Sequence, residues 1–190
     1  MILGLKDEAI EADLVAGRIS CGCGGRLGPF GHARPRPIRQ RDGSHVRLQP
    51  RRGRCGTCKA TQVILPACAL PRRRDATEVV GTALYLAARG HGHRSVAATL
   101  ALPPSTVRNW LRRARRHAEQ LYAIGVRNAH DFDANLGPMT VRPSPLTNAV
   151  EALGVMARAI VRRVGPLGVS PWCLIAVMSG GLVTPRVASG

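Results

Sequence analysis

The sequence predicts an α+β chain that is mostly α, on three observations. Two close cysteine pairs, Cys21/Cys23 and Cys55/Cys58, are separated by 31 residues that read as β structure. A short helical stretch, a tight turn and an arginine-loaded amphipathic helix fill residues 94–116. One more apolar stripe at helical spacing and a short, mostly apolar helix follow. They divide the 190 residues into a short N-terminal helix (1–17), a small β module bearing the cysteines (18–70), a basic linker (71–75), a trihelical head (76–124), a connecting loop (125–145) and a C-terminal helical pair (146–190).

Residues 6–16 carry Ile10 and Leu14 at i, i+4 and stop before Gly17. A helix that short is stable only when docked. The cysteine pairs sit on glycine-rich turns, where backbone amides can point at sulfur. Four thiolates close a tetrahedron, so Cys21, Cys23, Cys55 and Cys58 are the expected ligands of one structural Zn2+, in the layout of a zinc ribbon. The first pair is C-x-C, one residue tighter than the C-x-x-C of the second. His32 and His45 are alternative ligands, less favoured than the cysteines. Cys68 and Cys173, isolated among apolar neighbours, read as small core residues.

Between the pairs, Pro35 and Pro37 demote residues 34–41 to an edge strand or loop. Asp42-Gly43 signals a hairpin turn. His45-Val46-Arg47-Leu48 alternates as a half-buried strand, and residues 61–65 form another, stopped by Pro66. A module this small draws much of its folding energy from metal.

The head begins where Asp75 or Thr77 caps a helix running to about Ala88, with Val79, Val80, Ala83, Leu84 and Ala87 on one face. Arg89-Gly90-His91-Gly92-His93 reads as a flexible loop, because its two-residue histidine spacing suits no helical ligand pair. Ser95 then caps a second helix that buries Val96 and Leu100. Ala101-Leu102-Pro103 forms the turn. A third helix starts at Pro104 or Ser105 and runs to Tyr122, with Val107, Leu111, Ala114, Ala118 and Leu121 on its apolar stripe and Trp110 in the core. This is the outline of a helix-turn-helix. Ser105, Thr106, Arg108, Asn109 and Arg112 are the expected base contacts, since Arg can take guanine and Asn adenine bidentately. Arg72, Arg73, Arg74, Arg94, Arg113, Arg115 and Arg116 are the expected phosphate contacts.

Later, Leu146, Val150, Leu153, Ala157, Ile160 and Val164 form a stripe ended by Gly165-Pro166, and Ser170-Pro171 opens a last helix ended by Gly180-Gly181. The heptad spacing allows a homodimer through these C-terminal helices; packing within the chain is the commoner outcome.

The charge identifies a partner. The net charge is +17, and residues 18–75 hold fourteen Lys or Arg against two acids. That is a polyanion footprint, and double-stranded DNA is the expected ligand. An aromatic content of 3% argues against a stacking platform for single strands. After residue 124 only Asp131, Asp133 and Glu151 are acidic, too few for a carboxylate-metal nuclease, so no enzyme is expected. The N-terminus turns acidic too soon for a secretory signal, and the longest uncharged run is broken by Pro and Gly. The expected protein is cytoplasmic, with reduced thiols, no membrane partner and no small-molecule substrate.

Four segments carry a resemblance: A-D-L-V-A-G-R-I-S-C-G-C-G-G-R-L-G-P-F-G-H-A-R (12–34), R-C-G-T-C-K-A-T-Q-V-I-L-P (54–66), S-T-V-R-N-W-L-R-R (105–113) and the tail P-W-C-L-I-A-V-M-S-G-G-L-V. In these the chain resembles transposase-like zinc-ribbon plus helix-turn-helix proteins of bacteria, and more narrowly an uncharacterised domain-of-unknown-function family with this layout. The resemblance implies zinc at Cys21, Cys23, Cys55 and Cys58, and sequence-specific DNA binding through the helix from Ser105. The chain would then be a transcriptional regulator, or a DNA-binding subunit working with a separately encoded transposase; an RNA-binding zinc ribbon is a third reading. The chain departs from such proteins at the first knuckle, usually C-P-x-C, and at Ala101, usually glycine.

Overall fold

The computed structural model describes residues 2–4 and 6–181; the end of the C-terminal segment, 182–190, lies outside them. The fold is α+β, with seven helices among the described residues and small, mainly antiparallel sheets toward the N-terminus. The chain forms two compact units, Met1–Ala76 and Thr77–Gly190.

In the first unit β1 (Ile2–Gly4), β2 (Leu27–His32), β5 (Arg51–Cys55) and β6 (Thr61–Pro66) make a four-stranded sheet in the order β1-β6-β5-β2. β1 runs parallel to β6; the other pairs are antiparallel. β3 (Arg36–Arg39) and β4 (His45–Leu48) form a separate hairpin. Its turn is the expected Asp42-Gly43, with Gly43 at φ +85 and the Ser44 N–H donating to the Asp42 carboxylate at 2.9 Å. β3 is a paired strand despite Pro37. A two-stranded hairpin leaves an outer edge on each strand, where a missing N–H costs no ladder bond. Val46, expected to be half-buried, is 54% exposed, while its cross-strand partner Ile38 is buried.

Helix α1 (Asp7–Val15) docks Ile10 and Leu14 on the inner face of the sheet, in a cluster with Cys21, Leu27, Cys55 and Ile64. Burying each of those two side chains stabilises the unit by up to about 1.5–3 kcal/mol. Gly53 makes the approach possible. A Cβ there would lie 2.9 Å from Leu14 Cδ2 and 3.1 Å from Leu27 Cβ. Residues 71–75, expected as a linker, are tied to β3. The Arg39 N–H donates to the Arg74 carbonyl at 2.7 Å, and Arg39 pairs with Asp75 at 3.0 Å. Asp75 therefore meets Arg39, and the helix that follows begins at Thr77. Cys68 is exposed, contrary to the expected core position. Only Cys173 of that pair is buried. Apolar neighbours in sequence misled here, because Ala67 and Ala69 turn inward while Cys68 turns out.

The second unit is helical: α2 (Thr77–Ala88), α3 (His93–Thr99), α4 (Pro104–Arg116), α5 (Ala118–Phe132), α6 (Pro145–Val164) and α7 (Pro171–Met178). The expected flexible loop at 89–93 is a tight cap instead. Gly90 sits at φ +94, its N–H donates to the Ala87 carbonyl, and the His91 N–H donates to the Leu86 carbonyl. That is a Schellman ending. It brings α3 forward to His93, with Gly92 in the cap position; Ser95 lies inside the helix and caps nothing. Val96 and Ala97 are buried, and Leu100 is only half-buried.

The third predicted helix is two helices. α4 ends at Arg116, and His117 (φ -109, ψ 16) joins it to α5. The stripe Val107, Leu111, Ala114, Ala118 and Leu121 is buried throughout, so periodicity alone could not reveal the break. The halves serve different partners: α4 packs mainly on α3 and α2, and α5 on α6. Residues 125–132, expected as loop, belong to α5, where Gly125 sits against α6: a Cβ there would lie 2.7 Å from the Ala152 carbonyl carbon.

α6 buries Leu146, Leu153, Ala157 and Ile160 as predicted, together with Ala149, Ala152, Met156 and Ala159; Val164 is exposed. Four of the six stripe residues that suggested a dimer are therefore covered within the chain, and Val150 is half-buried. The Thr147 hydroxyl donates to the Ala88 carbonyl at 3.0 Å, joining the start of α6 to the end of α2. α7 has the expected Ser170 cap, which accepts from the Cys173 N–H. Trp172 fills the notch left by Gly81 on α2, where a Cβ would lie 2.1 Å from the indole. Among the described residues no helix is long and apolar enough to cross a membrane.

Candidate metal centre and the arginine face of α4

Two turns build the cysteine cluster. In the first, a bridge between Ser20 and Arg26 closes the loop, the Cys21 N–H donates to the Gly25 carbonyl at 2.7 Å, and Gly24 turns the chain at φ +83. In the second, β5 ends on Cys55, whose N–H donates to the Ala60 carbonyl at 2.9 Å, and Lys59 turns the chain at φ +62. The two turns are alike, although one encloses C-x-C and the other C-x-x-C. Their left-handed residues are Gly24, which bears it freely, and Lys59, which is strained.

The four sulfurs lie within 4.8 Å of one another. Cys21 faces Cys58 at 3.7 Å, and Cys23 faces Cys55 at 3.5 Å. Cys21 and Cys55 are buried; Cys23 and Cys58 are exposed. The tighter first pair does not hold Cys21 out of the cluster. Four sulfur donors in this arrangement can hold a metal ion. Neither His32 nor His45 belongs to the cluster, and His32 meets the Arg51 guanidinium.

Amide groups point into the cluster. The Cys58 backbone N–H, with that of Thr57, holds the Cys55 thiol down to about 6. The Cys23 backbone N–H lowers Cys21. At Cys58 the Ala60 N–H pulls downward, but the thiols of Cys23, Cys55 and Cys21 outweigh it and push Cys58 up to about 11. Sulfurs crowded this closely favour at least one proton until a cation replaces it. Gly25 lies against the cluster. A Cβ there would be 2.6 Å from Thr57 Oγ1 and 2.7 Å from Cys55 Sγ. Its glycine was visible in the sequence, but not its reason.

α4 buries Val107, Trp110, Leu111 and Ala114 and turns Ser105, Arg108, Asn109, Arg112, Arg115 and Arg116 to solvent. Thr106 and Arg113 are half-buried. Arg112 donates to Asn109 Oδ1 at 3.3 Å, so two expected base contacts are partners of each other. Arg113, Arg115 and Arg116 close the helix, where the C-terminal dipole favours cations. The turn before α4 is a second Schellman ending. Ala101 stands at φ +49, its N–H donates to the Ala98 carbonyl, and the Leu102 N–H donates to the Ala97 carbonyl. Arg94 is exposed on α3. In the first unit Arg72 and Arg74 are exposed and Arg73 is half-buried.

No curated protein and no solved structure matches the chain. Residues 20–110, from the residue before Cys21 to Trp110 on α4, match the model of a family described as a domain of unknown function (DUF6431), so one family pattern spans both the cysteine cluster and the start of the arginine-bearing helix.

Proposed function

We propose that the chain is a sequence-specific double-stranded DNA-binding protein, in which α4 reads bases and the cysteine cluster holds one structural Zn2+. The observation that carries this reading is the division of α4. One side is buried on α3 and α2, and the other turns Ser105, Arg108, Asn109 and Arg112 outward from its first two and a half turns. A helix presented this way, after a short helix and a tight turn, suits the major groove. The net charge of +17 supports a polyanionic partner.

Zinc suits the donor set. Four thiolates with Zn–S of about 2.3 Å form a tetrahedron with edges of about 3.8 Å. The sulfur contacts of 3.7 and 3.5 Å lie near that value. Cys21 and Cys55 also belong to the apolar core, so the ion would act as a structural clamp for the sheet. A recognition role fits the use of two of the three acids after residue 124, since Asp133 pairs with Arg162 and Glu151 with Arg142. Regulator and transposition accessory are both uses of such a module.

The test is selection from random duplexes with the full chain, followed by Arg108→Ala and Asn109→Ala. A recovered motif whose preference shifts in these variants supports the proposal. Recovery of no motif, or variants indistinguishable from the parent, would remove α4 as the reading element.

A further inference from the structure

The first unit has a second surface that the duplex reading does not use. α1 covers the inner face of the four-stranded sheet with Ile10 and Leu14. Directly paired residues point to the same side of a sheet. Arg54 pairs with Gly28 and with Thr61, and Arg52 pairs with Val63. The outer face of β2, β5 and β6 therefore presents Gly28, Arg52, Arg54, Thr61 and Val63. Phe30 stands on this face, 44% exposed, with the Arg52 guanidinium 5.8 Å and the Arg54 guanidinium 5.2 Å from its ring centroid.

A part-exposed aromatic ring beside two guanidiniums is unusual in a chain with only two Phe, two Tyr and two Trp, too few for an extended stacking platform but enough for one base. Among the described residues neither Arg52 nor Arg54 has a carboxylate partner, whereas the neighbouring Arg51 meets Glu11. Beside the ring lies a hollow of about 380 Å³ lined by Gly28, Pro29, Phe30, Arg54, Cys55, Gly56 and Lys59, so it abuts the cysteine cluster. The space beside Gly28 is open: a Cβ there would meet nothing within 4 Å. Ring, cations and hollow together match a nucleotide whose base is unpaired.

We propose that this face binds a single-stranded DNA segment, with one unpaired base stacked on Phe30 and the flanking phosphates held by Arg52, Arg54 and Lys59. The choice of DNA over RNA rests on the duplex reading of α4; the stacking site itself does not. A base fits the hollow where a duplex cannot, because its bases already stack on each other.

The test uses the full chain and a fluorescein-labelled oligothymidine of about twelve nucleotides, read by anisotropy. Phe30→Leu keeps apolar bulk and removes the stacking face; Phe30→Trp keeps an aromatic face. Phe30→Leu is expected to weaken binding about tenfold, or ~1.4 kcal/mol, and Phe30→Trp to retain it. Arg108→Ala/Asn109→Ala, on α4, should leave oligothymidine binding unchanged while altering duplex preference. Equal affinity of Phe30→Leu and the parent overturns the proposal. So does loss of oligothymidine binding in the α4 variant, or tighter binding of oligouridine RNA than of oligothymidine. A duplex selection that fails while Phe30→Leu still loses oligothymidine binding rejects the α4 reading and leaves this site standing.

Discussion

Replacing Gly25 by alanine isolates what the cysteine cluster requires of its surroundings. The added Cβ would lie 2.7 Å from Cys55 Sγ and 2.6 Å from Thr57 Oγ1. Ordinary contact distances are about 3.5–4.0 Å, so Cys55 must retreat by about an ångström. Cys55 is 1% exposed and packed with Leu27 and Ile64, so the retreat compresses the core. Overpacking of this kind costs about 1–3 kcal/mol. Because metal binding and folding of the unit are linked, the same cost appears as a loss of metal affinity of about 5- to 150-fold. Gly22→Ala is the matched control. It lies in the same turn, yet a Cβ there would meet nothing within 4 Å. Chelator competition, read by metal content per chain, compares the two. Gly25→Ala holding metal as tightly as Gly22→Ala would refute the reasoning.

Three further outcomes are expected. Ala101→Gly relieves a left-handed alanine at φ +49; strain relief of about 1–2 kcal/mol less an entropic loss of about 0.4–1 leaves roughly 1 kcal/mol, measured as a higher Tm, and an unchanged or lower Tm contradicts it. Chelation should open the first unit to protease within residues 20–66 while the helical unit resists, read by mass spectrometry of the fragments; equal cleavage of both units goes against a metal role in folding. Arg115→Ala should weaken all duplexes alike and reduce the salt slope by about one, and a sequence-selective effect in titrations across salt would move Arg115 from phosphate to base contact.

Legibility in the sequence followed chemistry more than backbone. The four cysteines carry their meaning in spacing, and they come together as expected. The stripes of α4 and α6 and the Ser170 cap were readable because periodicity and capping are local. β2, with two glycines and a proline in six residues, and β5, with three arginines in five, gave no strand signal. Their pairing is decided by the turns that carry the cysteines and by the core under Gly53, both non-local. Phe30 was hidden for the same reason: without β2 and β5 as neighbours, nothing places it beside Arg52 and Arg54. The break at His117 carries no Gly or Pro, and two distant partners, α3 and α6, set it.

Trp172 in the notch of Gly81 bears on how the chain is made. A polypeptide emerging N-terminus first completes α2 at Ala88, 84 residues before the indole of Trp172 that seats on it. Until then that apolar notch faces water, and the helix it belongs to supports α4. A fragment ending soon after α4 would therefore carry the arginine face on an unfinished scaffold. Such a fragment should aggregate or bind chaperones during synthesis, where the longer chain closes over itself.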